Sequence, residues 1–404
     1  MFGQSRDVNL LLFMRGARGF GYGYLNTVLG LYLSRIGFSL LQVGILVTVA
    51  GLSSSALILT SGLLADRISN RKIFIIISSL FMAILGAIYT ETTYFPVLLV
   101  GAAFGGAGSA GGGGPGGGPF GPAQLALLAE KTKGEERDVL FSVNAFIGTV
   151  LFSVGAVVAG LPDLLSSYGI DRMFVYDLLF LVFMAIGILL ALLGFALHEE
   201  KPEKRRPQRA DAKLMGKFTL TAILSGFSMG FLPLPIITLW FNITFLPSEA
   251  LISLMIGAST VLSAFTFLLA PRLARRLGSV QMIVLTRIVS ITLLALLPIT
   301  SFFSIAAVLY IFSSVFLSIG FPIWQSYMLG TVPSEERASA IGLTSGVGWG
   351  IPYAVSPTIS TFMMQEINSD LPIYVSAVLQ ASSITVYYYF FHVSPQSDVN
   401  SAET

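Results

Sequence analysis

Arg18, Tyr22 and Asn26 follow one another at four-residue intervals inside the first apolar run of the chain. In a helix that spacing puts a guanidinium, a phenol and an amide on one face. Such a stripe suits an anionic or polyhydroxylated small molecule, and a charged side chain within an apolar span is a functional candidate by default. Arg15, one turn earlier, either snorkels to the membrane interface or joins the stripe. Trp324, Gln325 and Trp349 supply indole and amide groups deep within later apolar runs and complete the substrate-binding candidates. Arg287 reads as structural. Asp177 is the acid that falls inside a run, so it is the candidate for a coupling proton or ion; a loop-side aspartate is the competing reading. Nothing points to covalent catalysis, and no catalytic residue is expected. Cysteine is absent, and His198 and His392 stand apart at the ends of runs, so no metal site is expected. No phosphate-binding Gly-x-x-x-x-Gly-Lys-Ser/Thr loop occurs, and no cofactor is expected.

The elements that hold these residues must be membrane helices. Hydrophobic residues make up 54% of the chain and charged residues 11%, with a mean hydropathy of +0.81. A soluble domain needs about a quarter charged residues to cover its surface, so this composition belongs in lipid. Apolar runs long enough to cross about 30 Å of hydrocarbon number twelve, and helices are the form expected of them. They lie near 9–33, 41–64, 73–90, 95–128, 139–161, 173–197, 217–244, 250–271, 280–299, 304–331, 338–364 and 371–393. The chain thus divides into six spans (1–197), a polar linker (198–216), and six spans with a short tail (217–404). Of 23 basic residues, 18 fall on the side that carries both termini and the linker; Arg35 and Arg172 fall on the other. The positive-inside rule puts the termini in the cytoplasm and the protein in the cytoplasmic membrane, with a lipid bilayer and no nucleic acid as surroundings. A basic patch for lipid or nucleic acid is the weaker reading of the linker.

The two halves share a plan. Gly19-Phe20-x-x-Gly23 returns as Gly226-Phe227-x-x-Gly230 at an offset of 207, and Glu135-Glu136-Arg137 returns as Glu335-Glu336-Arg337 at 200. Ala65-Asp66-Arg67 has a worn counterpart in Ala274-Arg275-Arg276 at 209. In a membrane chain, such duplication implies two bundles with a substrate between them. The fourth run is unusual. From Gly101 to Gly121, 12 of 21 residues are glycine, and Gly113, Gly114 and Pro115 lie at its centre. Either this segment packs backbone-close against a neighbour, or it opens as a helix hinge.

The loop Gly62-Leu63-Leu64-Ala65-Asp66-Arg67-Ile68-Ser69-Asn70-Arg71-Lys72 resembles the signature loop of the major facilitator superfamily, Gly-x-x-x-Asp-Arg-x-Gly-Arg-Arg/Lys. Gly62, Asp66, Arg67 and Arg71 match it, whereas Ser69 and Asn70 depart from it. The resemblance implies an all-α membrane protein of 12 transmembrane helices, two six-helix bundles related by pseudo-two-fold symmetry, working by alternating access. It implies a conformational-switch role for Asp66 and Arg67, favouring the outward-open state, and makes Gly62, Arg71, Glu136, Arg137, Glu336 and Arg337 parts of the same switch; helix capping is the competing role for the acids. In overall style the chain resembles the drug and metabolite exporter branch. It lacks that branch's span-4 arginine, since Gly101-Ala102-Ala103-Phe104-Gly105-Gly106-Ala107-Gly108 carries no charge. The expected function is therefore secondary active or facilitative transport of a small organic solute, anionic or neutral, by a monomer that is not an enzyme. A proton-coupled exporter of lipophilic compounds and a non-transporting membrane sensor are the alternatives.

Overall fold

The computed structural model describes residues 6–65, 72–105, 120–131, 135–198, 212–331 and 342–392. The described chain is helical. The N-terminal half contains α1 (Arg6–Arg35), α2 (Leu40–Ala65), α3 (Lys72–Glu91), α4 (Phe95–Gly105), α5 (Phe120–Glu130), α6 (Glu135–Val158), α7 (Leu161–Ser166) and α8 (Arg172–Phe195). The C-terminal half contains α9 (Ala212–Phe231), α10 (Leu234–Phe245), α11 (Glu249–Leu277), α12 (Ser279–Leu296) and α13 (Phe303–Thr331), then a π-helical segment (Gly342–Gly350), α14 (Ile351–Glu366) and α15 (Leu371–Phe391). Among the described residues, 8 helices carry an apolar stretch long enough to cross a membrane.

Burial follows the sequence in the sense that lipid demands. Along α8, Phe174, Leu178, Leu181, Ile188, Leu192 and Phe195 are exposed, at spacings of three, four and seven, and form a lipid-facing stripe. Tyr176, Leu179, Phe180, Phe183, Gly187 and Leu190 face inward on the same helix. The Asp171 carboxylate accepts from the Met173 and Phe174 amides and so satisfies the first turn of α8. Gly37, at φ +95°, turns the chain between α1 and α2 in the left-handed region that suits glycine.

Three of the predicted spans are not single α-helices among the described residues. The seventh breaks at Leu232–Pro233 because Pro233 and Pro235 cannot donate the helical hydrogen bonds, so α9 and α10 are separate. The eleventh enters α14 through nine π-helical residues, GLTSGVGWG, where the glycines weaken the α-helical preference. The fourth is seen as α4 and α5; residues 106–119 between them, including Gly113, Gly114 and Pro115, lie outside the described residues.

The repeated glycines are helix-packing positions. A Cβ on Gly19 would collide with the Gly148 carbonyl, and one on Gly23 with the Phe152 carbonyl, so α1 lies backbone-close on α6. In the second half, Gly226 meets the Trp349 carbonyl and Gly230 the Tyr353 carbonyl, and α9 lies equally close to the π-helical segment and α14. Small residues let membrane helices approach to this distance. Between the halves, α2 packs along α14, α6 along α11, and α1 along α10. The first two of these contacts are equivalent under the repeat, as the pseudo-two-fold requires.

Candidate functional site

The stripe on α1 is enclosed within the N-terminal bundle. Arg18 is fully buried, at 0% exposure. Its guanidinium sits 5.0 Å from the centre of the Tyr22 ring and 4.5 Å from that of Phe120. It donates a long bond, 3.5 Å, to the Ser78 carbonyl on α3, while its Nε and Nη2 have no hydrogen-bond partner. Cation–π contact holds such a charge in a low-dielectric interior, for about 2 kcal/mol when desolvated. Nearby on α1, Arg15 is also buried with an unpartnered Nε. Gln124 on α5 donates to the Leu11 carbonyl (2.6 Å) and to Asn144 Oδ1 (3.1 Å), tying α1, α5 and α6 together. Among the described residues no carboxylate pairs with Arg15 or Arg18, which leaves this interior electropositive.

Across the two bundles, at the end of α1 farthest from the chain termini, lies a different cluster. Glu249, the first residue of α11, is buried at 1% exposure. One carboxylate oxygen pairs with Arg35 Nε and lies 3.5 Å from Arg172 Nη1. The other accepts the Tyr176 hydroxyl at 2.5 Å. Arg172 also holds Asp163 at 2.7 Å, and Asp163 accepts the Ala250 amide at 3.4 Å, at the start of α11. Arg35, Asp163, Arg172 and Tyr176 belong to the first half and Glu249 to the second, so the cluster is a polar clasp between bundles. Below it, Thr358 donates to Thr48 Oγ1 (2.8 Å) between α14 and α2, and Ser153 donates to the Gly257 carbonyl (2.7 Å) between α6 and α11.

The two bundles thus repeat one glycine-packed plan and are clasped together at one end. The family model described as Major Facilitator Superfamily matches residues 11–357 and 218–404. The chain belongs to the Major Facilitator Superfamily. Among solved structures, a mutant form of the nucleoside transporter NupG superposes with a TM-score of 0.72 at 14% identity, covering 95% of this chain and 99% of NupG. A bacterial homologue of the human lysosomal transporter Spinster, inward-facing and occupied, superposes at 0.71 with 15% identity, covering 96% of each chain. At those identities the likeness is one of fold. An uncharacterized membrane protein of Saccharomyces cerevisiae, YJR124C, is 28% identical over 184 residues, which is 44% of this chain and 40% of the yeast protein.

Within this superfamily fold the predicted site residues separate into groups. Arg18 and Tyr22 meet, as their spacing requires, and Asn26 is partly buried one turn further along α1. Trp324 lies on α13, where it lines a recess of the C-terminal bundle with Arg287. Trp349 stacks on Tyr353 with ring centroids 4.5 Å apart. Asp177 is partly buried on α8 and takes no part in the clasp. Gln325 and Gly62 fall within helices but outside the described side chains, as do Glu136 and Arg137 in the first turn of α6. Asp66, Arg67, Arg71, Glu336 and Arg337 lie outside the described residues. The sequence reading did not single out Glu249, placed one residue before a span. A signal for Glu249 existed: Arg35 and Arg172, the basic residues that violate the positive-inside pattern, both converge on it.

Proposed function

We propose that this chain moves a small organic solute, anionic or neutral, across the cytoplasmic membrane by alternating access, as a monomer with its termini in the cytoplasm. The observation that supports this reading most directly is the Glu249 clasp, which closes one end of the contact between the two bundles. A carrier of this kind needs breakable contacts at each end, and the clasp is one of them. In this reading the structure is the conformer closed at the end distal to the termini. The loop containing Gly62, Asp66, Arg67 and Arg71 supplies the opposing contact, with the Glu136-Arg137 and Glu336-Arg337 pairs beside it. Asp177 remains the candidate for ion coupling, and the Gly113-Gly114-Pro115 run the candidate hinge.

The anionic or neutral preference draws on the charges inside the bundles. Arg15, Arg18 and Arg287 are cations without an acidic partner among the described residues, so a lipophilic cation would be repelled where an anion would be drawn in. The NupG likeness adds nucleosides to the neutral solutes worth testing. Thermal stabilisation of the purified full-length chain over carboxylates, sugars, nucleosides and lipophilic cations tests the preference. Stabilisation by a member of the first three classes, followed by its uptake into proteoliposomes, is the expected result. Stabilisation by lipophilic cations alone would overturn it.

A further inference from the structure

The C-terminal bundle contains a small recess bounded by α9, α12, α13 and α15. Thr221, Ser225, Arg287, Trp324, Gln380 and Tyr387 line it. Two of these are polar groups left without partners in a buried setting: Gln380, 5% exposed, has an unpartnered Oε1, and Tyr387, 2% exposed, has an unpartnered hydroxyl. Ser383 on the same wall is occupied, bonding Ser225 Oγ at 2.8 Å and the Thr221 carbonyl at 3.1 Å. Arg287 brings a positive charge, and among the described residues no carboxylate neutralises it. Buried polar groups are ordinarily hydrogen-bonded, so two orphans and an unpaired cation around one space describe a site suited to a ligand with both donor and acceptor atoms.

The internal repeat relates this recess to the Arg18 contacts of the first half. At the offset of 207 that relates α1 to α9, Arg18 corresponds to Ser225. At the offset of 209 that relates the loops before α3 and α12, Ser78 corresponds to Arg287. Arginine and serine have therefore exchanged helices between the halves. In the first half the guanidinium comes from α1, reaches the Ser78 carbonyl, and is sealed by the rings of Tyr22 and Phe120. In the second half it comes from α12, across from Ser225, and lines the recess.

We infer that the Arg287 recess binds a small hydroxycarboxylate-type anion. The carboxylate accepts from Arg287 and the Tyr387 hydroxyl, a neighbouring hydroxyl donates to Gln380 Oε1, and the Trp324 ring covers the apolar carbon. A planar fork of donors matches a carboxylate better than a spherical ion, which favours this ligand over chloride. The inference narrows the anionic reading of the cargo and rests on it for the ligand's origin, but binding itself can be measured apart from transport.

Lactate, acetate and chloride titrated into the purified full-length chain provide the test, read by calorimetry and by thermal shift. Lactate is expected to bind more tightly than acetate, and both more tightly than chloride. Arg287→Gln should weaken lactate binding at least tenfold. Tyr387→Phe removes a hydroxyl that bonds nothing in the unliganded recess, so it should fold normally and weaken lactate by roughly three- to tenfold. Unchanged affinity in folded Tyr387→Phe and Arg287→Gln would overturn the assignment, as would equal binding of chloride and lactate. Arg287-dependent binding without lactate uptake would uphold the recess and count against lactate as cargo; uptake indifferent to Arg287 would do the reverse.

Discussion

Replacing Glu249 by Gln isolates what the clasp contributes to the closed conformer. The substitution preserves volume and an acceptor for Tyr176 but removes the negative charge that Arg35 and Arg172 share. Breaking a wholly buried ion pair costs about 3–5 kcal/mol, because the remaining charge is stranded. Here the stranded cations are not deeply buried: the Arg35 and Arg172 side chains are 39% and 24% exposed, so water re-solvates much of their charge. A figure of about 1.5–3 kcal/mol, typical of hydrogen bonds to charged groups, is the better expectation. At about 1.4 kcal/mol per factor of ten, the open population should rise roughly 10- to 100-fold. The chain contains no cysteine, so Ser153→Cys introduces a single thiol at a site that bonds Gly257 across the bundles. By helix rise, Gly257 lies about 12 Å along α11 from Glu249, far enough for its reactivity to report separation rather than local fraying. The rate of maleimide labelling at this thiol should climb with the open population when Glu249→Gln is added. A labelling rate unchanged within twofold, in protein that still unfolds cooperatively, would refute the idea that the clasp biases the equilibrium.

Four further outcomes follow from the same contacts. Gly230→Leu would drive a side chain into the Tyr353 carbonyl and should abolish folding or lower the Tm by roughly 10 °C or more, whereas Gly216→Leu, where a Cβ meets nothing within 4 Å, should lower it little; thermal unfolding distinguishes them. Trp240→Phe removes the indole donor to Asp370 (3.0 Å) between α10 and the start of α15, and should cost about 1–2 kcal/mol in denaturant or thermal unfolding. Asp177→Asn, at a carboxylate outside the clasp, should change stability by no more than about 0.5 kcal/mol; loss of a proton-driven component of uptake in that variant would establish it as the coupling acid. Combining Glu249→Gln with Asp66→Asn should bring the Ser153→Cys labelling rate back toward its starting value, since the two contacts are proposed to favour opposite conformers and distant sites act additively.

Much of this fold could be read from spacing because spacing is what helix packing constrains. Gly19, Gly23, Gly226 and Gly230 stood out as a repeat, and each proves to be a position where a carbonyl of the facing helix leaves no room for a Cβ. Pro233 and Pro235 break the seventh run, read above as continuous over 217–244, for an equally local reason. The cation–π contact of Arg18 with Tyr22 is a one-turn neighbour relation, so it too was visible. The contribution of Phe120 was not, because it arrives from α5, far along the chain. The partners of Glu249 come from α1 and α8, and the walls of the Arg287 recess from four helices; no periodicity within one helix encodes them. Arg287, read from the sequence as structural, faces that recess, and the scarcity of acids in the surrounding spans is the sequence signal of its missing acidic partner among the described residues.

The division of contacts between glycine and charge bears on how such a molecule can move. Within each bundle, α1 on α6 and α9 on α14 are joined by backbone apposition, which has no intermediate: the helices touch or a void opens in lipid. Those contacts should therefore survive every step of a transport cycle. Between the bundles, Glu249, Ser153 and Thr48 make polar bonds whose groups can exchange their partners for water when a cleft opens. Exchange of that kind costs about 0.5–1.5 kcal/mol per neutral bond, small enough for a bound solute's differential affinity to reverse it. Backbone-close glycines also occur between bundles, where Gly30 meets the Pro235 carbonyl between α1 and α10 and Gly44 meets Thr361 and Pro357 between α2 and α14, so the seam between halves combines close packing with the polar bonds that water can replace. A rigid seam inside each half and a partly wettable seam between halves suit rocking. It places the energetic control of the cycle in the few charged residues, Arg35, Asp163, Arg172 and Glu249, that the membrane would otherwise have excluded.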